Sequence, residues 1–122
     1  MALNKSAAQV TIANGQSLSA PVNLGNKTLC AIVVPTPWTA AALSFQASDD
    51  GGVTWQNLFD VTGTEVSIPS ASVVAGQRIS VNPAIFASVD FVKIRSGTNA
   101  AAVAQGGARV LGLATREIYG TP

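Results

Sequence analysis

The chain has 122 residues and a net charge of only +1, with charged residues at 11% of the total, one cysteine and no histidine. That is one domain of ordinary size, long enough to bury a core without disulfides or metal. The scattered basic residues exclude a nucleic-acid footprint, which needs Lys and Arg clustered on one face, and the lack of histidine excludes catalysis by a histidine base.

Residues 1–8 are small and polar with little to pack, and read as an extended arm with Leu3 and Lys5 as candidate contacts to a neighbour. No apolar run of the kind a signal peptide needs follows Met1, so synthesis in a cytoplasm is expected. Residues 9–122 are expected to form a single β-sandwich domain. Gln9–Ile12 is the first strand, Asn14-Gly15 offers a tight turn because both residues tolerate positive φ, and Leu18–Leu24 returns. The uncharged stretch from Thr28 to Ser48 is long enough to cross a bilayer. Pro35 and Pro37 interrupt it, however, and Thr, Ser and Gln dilute it. Two strands, Leu29–Val34 and Ala41–Ser48, are therefore expected in place of a membrane helix. Cys30 sits within the first and is expected to be a small buried hydrophobe. The second alternates, with Leu43, Phe45 and Ala47 on one face. Trp38, at the strand end after Pro37, would either anchor a partner or plug the end of the sandwich.

Val53–Phe59, Glu65–Ile68 and Gln77–Val81 are the next strands, the last with Ile79 and Val81 on one face. Val73-Val74 is an apolar tip in a polar loop, a candidate contact unless it folds onto the core. Asn82 followed by Pro83 is a helix start, capping one turn to Phe86. In Phe91–Ser96, Val92 and Ile94 face one way while Lys93 and Arg95 face the other. Ala100–Gln105 is too short to hold a helix and reads as a loop or irregular edge strand. Arg109–Ile118 closes the chain. Turn signals about every ten residues mark an all-β fold. The expected architecture is an antiparallel, jelly-roll-like β-sandwich of eight or nine short strands.

The sharpest motif is Ser48-Asp49-Asp50-Gly51-Gly52-Val53-Thr54-Trp55. Its Ser48, Asp50, Gly52, Thr54 and Trp55 match the pattern Ser-x-Asp-x-Gly-x-Thr-Trp, which resembles the Asp-box hairpin of sialidases and other β-proteins. An Asp side chain can bind backbone N–H groups across such a turn, and glycine supplies positive φ. The motif occurs once in a chain too short for a propeller, so it is expected to be a folding device without a catalytic role.

Other chemistry is sparse. Asp60, Glu65, Asp90 and Glu117 are isolated and would serve a hydrolase only by converging through the fold. Asp49, Asp50 and Asp60 offer oxygen ligands for calcium, but turn roles account for them, and no metal or cofactor is expected. A chain with 11% charged residues, against about 25% in ordinary domains, fits either a molecule covered by neighbours or a plain surface poor in charge.

Several blocks taken together carry a wider resemblance: residues 43–58, Ile79–Phe86, Val92–Thr98, and then Gln105 and Arg109. In this order they resemble small virion proteins from the structural-gene clusters of tailed bacteriophages, over residues 41–113. The resemblance implies a capsid decoration (cement) protein, or a related head or tail accessory protein. A protein of that kind binds the outside of the shell in the virion as a dimer or trimer, bridges subunits of the major capsid protein, and is not an enzyme. The alternative is a carbohydrate-binding β-sandwich module with glycans as partners and Trp38 as the stacking platform.

Overall fold

The computed structural model describes residues 5–118. Strands β1 (Lys5–Ile12), β3 (Lys27–Val33), β7 (Arg78–Ser80) and β9 (Arg109–Glu117) build one sheet in the order β1-β9-β3-β7. The second sheet runs β2 (Val22–Asn23), β8 (Phe91–Ser96), β4 (Leu43–Ser48) and β5 (Gln56–Asn57), with β6 (Ser67–Ile68) also pairing with β4. Every pairing is antiparallel.

β5 and β6 occupy one edge of β4 in succession: Gln46 and Ala47 pair with Asn57 and Gln56, and Leu43 and Ser44 with Ile68 and Ser67. They act as one strand interrupted by residues 58–66. Counted so, β1 pairs with β9, β2 with β8, β3 with β7, and β4 with β5–β6. The pairs are nested like those of a single long hairpin rolled up on itself, which is a jelly roll. The chain is thus the all-β antiparallel sandwich its alternation implies.

Alternation sets which face is buried. In β9, Leu111, Leu113 and Thr115 point inward and are buried, while Val110, Gly112 and Ala114 line the outer face. Leu43 and Phe45 of β4 and Val92 and Ile94 of β8 meet them from the other sheet. The helix α1 (Pro83–Phe86) is capped by Asn82, whose Oδ1 accepts from the Ala84 N–H at 3.1 Å. It drives Phe86 into the core edge-on to Phe45, with ring centroids 5.0 Å apart at 76°. An edge-to-face pair of this kind is worth about 1 kcal/mol beyond its area burial.

Four details depart from the sequence reading. The expected arm is in part a strand: residues 5–8 are the first half of β1, paired with Arg116–Leu113, and Met1–Asn4, with Leu3 among them, lie outside the described residues. Backbone pairing to β9 needs no apolar side chains, which is why residue type gave no sign of it. At Asn14-Gly15 only the glycine takes positive φ, 78°, in a turn closed by Gln16 N–H to Ala13 O at 3.0 Å. The strands expected at Leu18–Leu24 and Val53–Phe59 shrink to two residues each. Cys30 is only half-buried, beside the register shift between Leu29 and Ala31.

Candidate functional site

The hairpin at Ser48–Trp55 is built as its motif requires. One Asp50 oxygen accepts from the Thr54 N–H at 2.9 Å, the Val53 N–H at 3.2 Å and the Ser48 hydroxyl at 2.8 Å, while the Thr54 hydroxyl donates to the other. The Thr54 hydroxyl, then its N–H and the Ser48 hydroxyl, hold the Asp50 carboxyl down at about 2. Gly51 and Gly52 take positive φ at 76° and 90°. The Trp55 indole donates to Gly52 O at 3.0 Å and lies under the Lys93 ammonium, 4.5 Å from its centroid. The side chains of Ser48, Asp50 and Thr54 and the Trp55 indole N–H are thus engaged in holding the turn.

A second turn has the same logic. Asp60 accepts from the Thr62 hydroxyl and N–H and from the Thr64 N–H, which lowers its pKa, the Thr62 hydroxyl contributing most. The turn lies within residues 58–66 at the sheet edge, with Phe59 half-exposed and Val61 fully exposed. Between this segment and the Asp50 hairpin lies an open concavity of about 640 Å³, with Asp49, Gln56, Phe59 and Ser88 in its lining.

Arg95 faces outward from β8, as alternation requires, yet it is only 4% exposed. Its guanidinium donates to the Ser44 hydroxyl at 3.3 Å, to Glu65 at 3.4 Å and to Asn57. Glu65 also accepts from the Asn99 N–H at 2.9 Å. The pair therefore pins both the β5–β6 edge and the 97–103 loop onto the sheet. Nothing local marks Glu65 as the partner, because 30 residues separate it from Arg95.

The carboxylates do not gather. Asp50 and Asp60 serve separate turns, Glu65 serves Arg95, and among the described residues no group of three or more His, Cys, Asp or Glu stands close enough to hold a metal ion. No helix among the described residues is long and apolar enough to cross a membrane.

The candidate contacts divide. Val73 is buried at 5% in the core, at the end of a short 3-10 turn over Ser70–Ser72, and is not a contact point; Val74 beside it is 44% exposed. Trp38 is half-buried and packs against the core, with its Nε1 buried and without a hydrogen-bond partner among the described residues. Lys5 opens β1 opposite Arg116.

The outer face of the β1-β9-β3-β7 sheet carries small residues. Ala7 and Gln9 from β1, Gly112 and Ala114 from β9 and Val33 from β3 line a shallow groove of about 650 Å³, with Arg78 on its border. A Cβ at Gly112 would stand 3.1 Å from that of Val33, so glycine keeps the floor low. Small residues form the floor of this groove, while Gln9 and Arg78 are the long polar side chains in its lining.

Fold and surfaces together define a two-sheet jelly-roll domain with turn-stabilised edges and, on one outer sheet face, a shallow groove floored by small residues. No protein-family model matches the chain, and neither does any curated protein or solved structure.

Proposed function

We propose that the protein is a bacteriophage capsid decoration protein that binds the outside of the head shell and bridges its subunits. The observation that carries this reading is the shallow outer groove of Ala7, Gln9, Val33, Gly112 and Ala114 on a chain with only 11% charged residues. Such a face desolvates cheaply and accepts another backbone-dominated surface closely. Arg78 and Arg116 near its margins suit an acidic rim on the shell. Each copy would contribute modest binding, and many copies on a lattice would stabilise it by avidity. The resemblance of residues 41–113 to phage virion proteins points the same way. Protein analysis and cryo-microscopy of purified particles test the proposal: the chain should be present in many copies on the outer surface, and its absence from particles ends the idea. Ala114→Asp, at a position that already carries a Cβ in the groove lining, should weaken rebinding to stripped shells while the isolated domain keeps its fold.

A glycan-binding role is the second reading, favoured by the concavity that combines Phe59 with Asp49, Gln56 and Ser88. An exposed aromatic ring flanked by carboxylate, amide and hydroxyl groups suits a sugar. Binding on a glycan array that disappears in Phe59→Ala would select this role.

A further inference from the structure

We infer that the free edge of β1 pairs antiparallel with β1 of a second copy, joining two sandwiches through one continuous sheet about a two-fold axis. The phase of the ladder identifies the free groups. Thr11 C=O accepts from the Ala20 N–H at 3.2 Å, and Ala20 belongs to the returning segment, not to β9. Residues of one parity in a strand direct both backbone groups to the same side. Lys5, Ala7 and Gln9 therefore present their N–H and C=O away from β9, whereas Ala8, Val10 and Ile12 bond to it.

An independent bond gives the same phase. Ile118 N–H donates to Asn26 O at 2.8 Å, so even-numbered residues in this stretch of β9 serve β3 and odd-numbered ones turn to β1. Since β1 and β9 pair as Val10 with Leu111 and Ala8 with Leu113, it is the even residues of β1 that are used. By this phase the N–H and C=O of Ala7 and Gln9 turn away from β9, and no turn or loop bond among the described residues takes them up.

This edge differs from the others. The outer strands β7, β2, β5 and β6 have three residues or fewer, but β1 has eight, with no register shift, no proline and no charge between Ser6 and Ile12. Long, regular, neutral edges are templates for strand addition, and proteins ordinarily blunt them.

A second copy is the occupant this edge fits. Ala20 closes it at Thr11, and among the described residues the free groups are those of Lys5, Ala7 and Gln9, with Ala7 in the middle. A two-fold there sets Ala7 against Ala7 and Lys5 against Gln9 of the second copy, and donors meet acceptors throughout. The basic ends, where Lys5 pairs with Arg116, fall at opposite limits of the joint; parallel pairing would stack them. Odd residues pair with odd, so both cores stay on the same side of the shared sheet. The joint does not depend on shell binding, and it allows a closed dimer and no trimer.

Light scattering of the full chain across micromolar concentrations should show a monomer–dimer equilibrium. Ala7→Pro removes an N–H the fold does not use, so it should leave the melting temperature nearly unchanged and weaken dimerisation at least about tenfold. Ala8→Pro removes a bond to β9 and should lower the melting temperature. In a Cys30→Ser background, Ala7→Cys should give a disulfide-linked dimer, since paired residues of this kind lie about 5.5 Å apart at Cα, while Gln9→Cys should not. A wild-type monomer or trimer overturns the inference. So does a folded Ala7→Pro variant that dimerises normally, or cross-linking through Gln9→Cys in preference to Ala7→Cys. Hydrogen-exchange protection of Ala7 and Gln9 that appears only with added shells would assign the edge to a foreign strand and overturn it too.

Discussion

The Gln105 carboxamide grips the Thr39 backbone from both sides: its Oε1 accepts from the Thr39 N–H at 2.9 Å, and its Nε2 donates to the Thr39 carbonyl at 3.0 Å. The same side chain donates to the Ser96 hydroxyl at 2.6 Å and accepts from Arg109 Nε at 3.0 Å, and it is 1% exposed. One amide thereby joins the loop before β4, the end of β8 and the start of β9. Gln105→Leu keeps the volume but strands several buried polar groups, each costing about 1–3 kcal/mol. Thermal denaturation should show a melting temperature lower by about 10 °C.

Asp50 links stability to pH. Its folded pKa, about 2, lies below the ordinary 3.8, so the folded state favours the carboxylate. The resulting stabilisation is complete above pH 3.8 and disappears as pH falls through about 2. Asp60 acts in the same sense. Wild-type melting temperature should therefore decline across that acid window, and Asp50→Asn should flatten the decline while lowering stability at neutral pH. Carboxyl resonances followed by NMR give the Asp50 midpoint directly; a midpoint at its ordinary value contradicts the expectation.

Glu65 and Arg95 form an unequal pair, since the arginine side chain is 5% exposed and the glutamate 17%. Deleting the acid leaves a buried guanidinium with only neutral partners, and partial access to water moderates the cost to about 2 kcal/mol. Glu65→Ala should lower the melting temperature by several degrees and increase hydrogen exchange at Asn99, whose N–H the carboxylate accepts. Replacing both residues together, as Glu65→Gln with Arg95→Met, should cost less than the sum of the two single changes.

Val73 and Val74 provide a paired test of core against surface. Val73→Asp buries a carboxylate among apolar side chains and should prevent folding, as circular dichroism would report. Val74→Asp, on an exposed side chain, should melt within about 2 °C of wild type.

Local chemistry was legible where the physics was local. The Asp50 hairpin, the Asn82 cap and the alternation of Leu43 and Phe45 or Val92 and Ile94 each depend on residues within a few positions of one another. Adjacent positions in a loop hid the difference between Val73 and Val74, because alternation applies only to a strand with a known inner face. Trp38 was open to two readings for the same reason: a strand-end tryptophan packs inward or outward according to what stands opposite.

By itself the amino-acid sequence determined an all-β chain of short alternating segments, the positions of its tight turns and a surface poor in charge. Those follow from side-chain period, backbone freedom and composition, all read over short spans. Only the tertiary structure decided the nested strand order, the burial of Arg95 with Glu65, the Gln105 clamp on Thr39 and the exposure of the β1 edge. Each depends on groups brought together across long loops, where pairing is chosen by the global fit of two sheets and leaves no periodic trace in the chain.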